Sequence, residues 1–300
     1  MKEEGVGEAP MIPADDHERA FQRYESLVAS IESRVAFLAE HPTIGEEPLH
    51  VLHRDLRRLG VLFRPWRTSI SPESRKLAKE VQARVNSFAR LCGQVRDRDV
   101  GLLVLPSAPR KSRSIGPEGI QNARGRLKKE ARAGRRKLAR FAEALTEDQT
   151  FAALRGLVGE AREASDPRAW ALQTEAEFLR RVDEVSRSLD RAVARVSTPR
   201  LHDLRKELRE MRLFREALAI SRPADASEQL VRLQRDLGKL HDLDQVIQWI
   251  WPERNAPDVA AWTAAVRAQR RRQRRRIRDR LGRPIISHQI ESLRSPYLTS

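Results

Sequence analysis

The sequence predicts an all-α protein built from a duplicated four-helix unit, and three observations carry that expectation. From Asp15 onward, apolar residues recur at three- and four-residue steps, separated by short Pro, Gly, Ser or Thr punctuation. The stretch "LHVLHRDLRRLGVLF", residues 49–63, returns without a gap as "LHDLRKELREMRLF", residues 201–214. One helix later in each half comes a second matched block, "CGQVRDRDV" from Cys92 and "LGKLHDLDQV" from Leu237. A repeated unit of this kind exposes faces that its second copy can cover.

The elements follow in order. The first helix opens at Asp15 and Asp16, whose carboxylates suit an N-terminus, and buries Phe21, Tyr24, Leu27, Ile31, Val35 and Leu38 before "HPTIGEEP" stops it. A second is expected from after Pro48 to near Pro65. The third begins at Ser71 with Pro72 at a first helical position and runs to "LLVLP"; the fourth spans about residues 119–145. Residues 106–119, rich in Pro, Gly, Ser and basic side chains, read as a flexible connector. Residues 147–167 read as a weaker helix or pair of turns joining the halves. Helices are then expected over residues 168–196, 199–220, 226–251 and 257–281. The predicted organisation is therefore a disordered 1–14, a first half 15–146, a connector 147–167, a second half 168–283 and a poorly ordered tail 284–300.

Lys and Arg number 58 against 42 Asp and Glu, a formal charge of +16, yet apolar residues still make up 40% of the 300-residue chain. That balance excludes a disordered basic tail and predicts folded helices with charged faces. Most of the positive charge is arginine, whose planar fork grips phosphate or carboxylate oxygens in pairs. Cys92 is the only cysteine, which excludes an intramolecular disulfide and a multi-cysteine zinc site. The N-terminus has no apolar leader, and no run approaches the ~20 apolar residues that span a bilayer. The expectation is a soluble, cytoplasmic protein.

In the repeated helix the cations share one side. His202, Arg205, Lys206, Arg209 and Arg212 lie at helical spacing opposite Leu201, Leu204, Leu208 and Met211. In the first copy His50, His53, Arg54, Arg57 and Arg58 oppose Leu49, Leu52, Leu56, Leu59 and Phe63. Like charges one turn apart repel, so such a stripe costs stability unless carboxylates or an external anion neutralise it. Asp55, Glu207 and Glu210 supply part of that relief. Cations stacked every ~5.4 Å form a ladder that a linear polyanion can track. A histidine among them has its protonated form disfavoured, and still donates a hydrogen bond when neutral.

These residues resemble the CHAD family, the conserved histidine α-helical domain. The family signature is a helix reading His-x-x-Arg-x-x-x-Arg-Arg-x-Arg, followed a helix later by Gly-x-x-Arg-Asp-x-Asp. The second half matches the first part at His202, Arg205, Arg209 and Arg212, with Glu210 in place of one arginine. The first half matches at His50, Arg57 and Arg58, with His53 and Gly60 at expected basic positions. Arg96-Asp97-Arg98-Asp99 matches the later block; its second copy has His241 for the arginine. The resemblance covers about residues 15–285.

It implies two four-helix bundles related by a pseudo-twofold around a basic central groove or channel. It also implies non-catalytic binding of inorganic polyphosphate and attachment to polyphosphate granules. On this reading Arg57, Arg58, Arg205, Arg209 and Arg212 grip phosphate oxygens while His50 and His202 donate hydrogen bonds. Lys128, Arg132, Arg135, Arg271 and Arg274, from the arginine-dense fourth helix of each half, are expected to complete the opposite wall. Asp97, Asp99, Asp242 and Asp244 would repel a polyanion, so they are expected to orient arginines.

Catalysis and metal binding find little support. Glu47 and His50 have Glu-x-x-His spacing but Pro48 interrupts it, and the His-x-x-His pair His50 and His53 lacks a carboxylate set. No cofactor is implied. The alternative partner is nucleic acid, favoured by a sequence pI near 11 and the "RRRQRRRIRDR" run at residues 270–280. Single-strand binders add aromatic platforms, whereas Trp249 and Trp251 sit among apolar positions and read as core.

Overall fold

A computed structural model describes residues 16–42, 44–105, 118–218 and 228–294. The expectations for residues 1–14, for most of the 106–119 loop and for the end of the tail lie outside these. The described residues are all-helical, as expected: α1 (Asp16–Glu40), α2 (Glu46–Arg67), α3 (Pro72–Val104), α4 (Glu118–Glu147), α5 (Thr150–Ala164), α6 (Pro167–Ala194), α7 (Thr198–Leu218), α8 (Glu228–Ile250), α9 (Pro257–Leu281) and α10 (Pro284–Ser292). A single 3-10 turn, Trp251–Glu253, joins α8 to α9.

Local chemistry sets several ends. The Ser71 side chain accepts from the Ser74 N–H at 3.2 Å, with Pro72 at the first helical position of α3. Asp166 caps α6 in the same way through the Ala169 N–H at 2.7 Å, ahead of Pro167. Between α4 and α5, Gln149 turns the chain with a left-handed φ of 52°.

Helix α2 departs from the expected boundaries at both prolines. It begins at Glu46, so Pro48 falls in the first turn, where a missing N–H costs nothing. It continues to Arg67, past Pro65. Proline cannot donate to the carbonyl four residues earlier, that of Val61, and the buried Arg181 guanidinium of α6 donates to that oxygen instead, at 3.4 Å.

The segment expected as a weaker helix or pair of turns between the halves is the 15-residue helix α5, which buries Phe151, Leu154, Leu157, Val158 and Ala161. Its Glu160 accepts from the Ser71 N–H at 2.8 Å and the Ser74 hydroxyl at 2.5 Å, fastening the start of α3. The expected tail forms α10, with Ile286 and Ile290 buried against α6, α8 and α9. Trp251, expected in the core, is half exposed, with the Arg254 guanidinium 4.9 Å from its ring; Trp249 is buried as expected.

One continuous apolar core draws on all ten helices. A smaller one joins the end of α3, the start of α4, the end of α8 and the start of α9 around Leu127, Trp249 and Val259. Helix α3 packs on α2 and α4, α7 on α6 and α8, and α2 meets α7 across the middle. Close approach of α4 to α3 depends on Gly134, where a Cβ would lie 2.7 Å from Val95 Cγ2. Gly134→Val is therefore expected to destabilise by about 2 kcal/mol, read as a lower urea midpoint at unchanged slope.

Candidate functional site

Helices α2 and α7 direct their leucines into the core: Leu49, Leu52, Leu56, Leu59, Leu201, Leu204 and Leu208 are all buried. The cationic sides of the same helices then divide into two groups. Their surroundings differ completely.

The first group is neutralised. Asp55 is buried and draws Arg34 (3.5 Å), Arg54 (3.4 Å) and Arg58 (3.5 Å) around its carboxylate. Glu216 of α7 holds Arg58 at 3.4 Å and Arg212 at 3.2 Å. Arg54, Arg58 and Arg212 are thus already paired.

The second group is concentrated where α2 and α7 meet α3 and α8. Arg57, Arg96, Arg205 and Arg209 form no ion pair among the described residues, and the Arg209 Nε is buried without a hydrogen-bond partner. Burial and the facing Arg209, Arg205 and Arg96 lower Arg57 to about 10. Arg205 is lowered by burial and by Arg209; Arg209 is lowered by burial and by Arg212, against partial relief from Glu210 and Glu207. All remain cations at neutral pH, so these shifts measure repulsion held in the folded protein.

The histidines respond by staying neutral. Burial and the neighbouring Arg57, Arg96 and Arg209 push His53 down to about 3. Burial and Arg205, His202, Arg209 and Arg57 push His241 down to about 4. His50 is lowered by burial and Arg96, and the His202 ring lies 5.2 Å from that of His241. His53 leans over Gly93, where a Cβ would come within 3.1 Å of its Nε2. A glycine at that place in the second matched block therefore leaves room for the imidazole.

The paired aspartates separate by position. Asp99 accepts from Arg135 of α4 at 2.8 Å, and its sequence counterpart Asp244 pairs with Arg270 of α9. These carboxylates tie the fourth helix of each half to the helix before it. Asp97 instead stands beside Arg98, Arg57, Arg96 and Arg205, and Asp242 beside Arg205 and Arg96, and burial outweighs those arginines to raise both carboxyls.

A groove of about 1090 Å³ opens beside this cluster, large for a ligand site, between α2, α3, α6 and α7. Its lining includes His53, Arg57, Lys206 and Arg209, together with Arg90, Arg180 and Arg181. Arg90, Arg96, Arg180 and Arg181 stand outside the repeated helix, so its stripe does not point to them. Arg96 carried a signal in the "RDRD" block. Arg181 did not; it pairs with Glu210 at 3.7 Å and sits 4.8 Å from the Phe214 ring. Where the signature expects an arginine on α7, Glu210 instead engages an arginine on α6.

The expected opposite wall is not part of this lining. Arg135 is held by Asp99 and also donates to the Ile44 carbonyl at 3.2 Å; Arg274 donates to the Val196 carbonyl. Lys128, Arg132 and Arg271 are exposed on α4 and α9. Among the described residues no group of three His, Cys, Asp or Glu side chains is placed to hold a metal ion, and no helix is long and apolar enough to cross a membrane.

The fold and this double cluster define a class of all-helical proteins with signature histidines and arginines gathered on facing helices. A family model for the CHAD domain matches residues 29–249, and the chain belongs to that family. It is similar to the crystal structure of the CHAD domain from the plant Ricinus communis, with a TM-score of 0.61, 16% identity and 91% of each chain covered. At that identity the likeness concerns the fold. No curated protein matches the chain.

Proposed function

We propose that the protein binds inorganic polyphosphate, without chemistry, in a basic groove formed where two duplicated four-helix units meet. One observation carries this reading: Arg57 and Arg209, at equivalent places in the two sequence repeats, repel each other across the α2–α7 contact, and neither forms an ion pair among the described residues. Evolutionary accident scatters arginines; it does not concentrate unpaired ones from both copies while pairing off Arg54, Arg58 and Arg212 nearby. A phosphate chain would neutralise the cluster, with arginines gripping oxygens and the imidazoles of His50, His53, His202 and His241 donating N–H bonds. Lys206 and Arg205 would extend the track along α7. Family membership makes polyphosphate the expected polyanion, and a cytoplasmic location, with attachment to polyphosphate granules, follows from the same reading.

Competition tests the ligand. Labelled long-chain polyphosphate bound to the protein is challenged with unlabelled polyphosphate, single-stranded RNA or polyglutamate at equal charge. The expected order is displacement by polyphosphate at concentrations about tenfold or more below those of RNA, because the groove lining contains no aromatic platform for bases. Equal displacement by RNA would move nucleic acid to the front.

A further inference from the structure

We infer that the outward face of α9 carries a second, separate phosphate-binding site, formed by Arg272, Arg275, Arg276 and Arg283. These line a depression of about 330 Å³ with Arg280 and a single carboxylate, Asp279. Positions 272, 275, 276, 279 and 280 recur at helical spacing, which sets them on one face about 12 Å long. The site shares no lining residue with the groove.

Three features separate this face from an ordinary solvated helix. First, the side chains of Arg272, Arg275, Arg276 and Arg283 make no ion pair or hydrogen bond among the described residues, so Asp279, the one carboxylate of the lining, leaves most of their mutual repulsion in place. Second, Arg280 is held at the back of the depression by the buried Asp236, at 3.0 Å, and by Gln229, at 3.2 Å. That pair fixes one guanidinium rather than neutralising the face. Third, the first turn of α10 begins at the depression: Arg283 is its N-cap and supplies no side-chain cap, and since Pro284 has no N–H and Ile286 donates to the Arg283 carbonyl, the Ile285 N–H is the one that turn leaves for an anion among the described residues. Complementing the helix dipole accounts for Arg278 and Arg280 in the last turn of α9, but not for Arg272, Arg275 and Arg276, which precede it.

The lining contains no aromatic or apolar side chain, so it offers neither base stacking nor a hydrophobic anchor. It fits a compact oligophosphate, or one stretch of a longer phosphate chain. The choice of phosphate rests on the proposed function; the existence of the site does not. With two separated sites, one molecule could hold two stretches of chain, gaining avidity or cross-linking chains without new contacts.

Titration calorimetry with inorganic triphosphate, too short to require both sites, tests this on the full chain. Two triphosphates per protein are expected. Arg275→Glu/Arg276→Glu should remove one and leave the other's affinity within about twofold, while Arg57→Gln/Arg209→Gln should remove the complementary one. Circular dichroism melts confirm that each variant folds. A stoichiometry of one that the α9 variant leaves unchanged overturns the second site while the groove reading stands. A remaining event that only the α9 variant abolishes supports the second site and overturns the groove. Displacement of triphosphate from the Arg57→Gln/Arg209→Gln variant by RNA at equal charge overturns the ligand class.

Discussion

Replacing Arg57 and Arg209 together by glutamine is expected to weaken long-chain polyphosphate binding by about a hundredfold or more while making the ligand-free protein more stable. The loss follows from two charge-assisted contacts at about 1.5–3 kcal/mol each. The gain follows from the opposing direction of the same electrostatics. Both guanidiniums are lowered by burial, and Arg57 by Arg209 across the gap as well. Removing them relieves repulsion that Asp97, Glu207 and Glu210 offset only in part, by about 1 kcal/mol, or roughly 2–4 °C in melting temperature. Glutamine keeps the Cβ and Cγ methylenes and a polar end, so the packing of the inner stems changes little. The paired control Arg54→Gln/Arg212→Gln should show the reverse pattern. Binding should change by less than about threefold, and stability should fall slightly as Asp55 and Glu216 lose partners. A residue pair serving structure alone would not combine tighter folding with lost binding.

The second large effect is acid sensitivity. His53 and His241 have folded values of about 3 and about 4, against an ordinary 6.5. Below pH 6.5 the unfolded chain protonates these imidazoles and the folded protein does not, so unfolding takes up protons and stability falls as pH drops. Nothing is lost above 6.5. From there toward pH 4 each histidine removes up to about 1.4 kcal/mol per pH unit. Asp97 and Asp242 act with the opposite sign, because their raised carboxyls protonate first in the folded state, so stability is regained as pH falls through their folded values. The loss is therefore expected to set in as pH falls below 6.5, measured as urea midpoints from neutral pH downward. Replacing His53 and His241 with glutamine should flatten it. Bound polyphosphate should flatten it too, since an anion beside the imidazoles raises their values and makes binding tighten as pH falls.

Much of this architecture was legible in the sequence, and the exceptions have identifiable causes. Helix α9 matches its expected span, residues 257–281, because Pro257 and Gly282 bracket a long periodic segment. Helix α5 looked weak because Gly156 and Gly159 lower its propensity, although its buried face at Phe151, Leu154, Val158 and Ala161 keeps helical spacing. Helix α10, at nine residues, is too short for a period to declare itself. Pro65 read as a terminus because the partner that replaces its missing donor, Arg181, lies 120 residues in sequence from the Val61 carbonyl it reaches.

Within the candidate site, the stripe on α2 and α7 was visible as a pattern, but its division was not. Which arginines stay unpaired depends on Glu216 reaching across from α7 to Arg58 and on Asp55 drawing three guanidiniums to its own side. Periodicity assigns residues to a face without saying what stands opposite. For the same reason, Arg135 and Arg274 looked like ligand-facing cations, whereas the structure commits them to Asp99 and to the Val196 carbonyl.

Imidazole NMR during a polyphosphate titration tests the central claim most directly, since the chain's seven histidines report on different regions. A phosphate chain held between the two copies should move the signals of His50, His53, His202 and His241 together and raise the lowered pKa values of His50, His53 and His241, leaving the signals of His17 and His41 unmoved. Movement confined to one copy's histidines, or none at the α2–α7 contact while binding saturates, would contradict a shared groove.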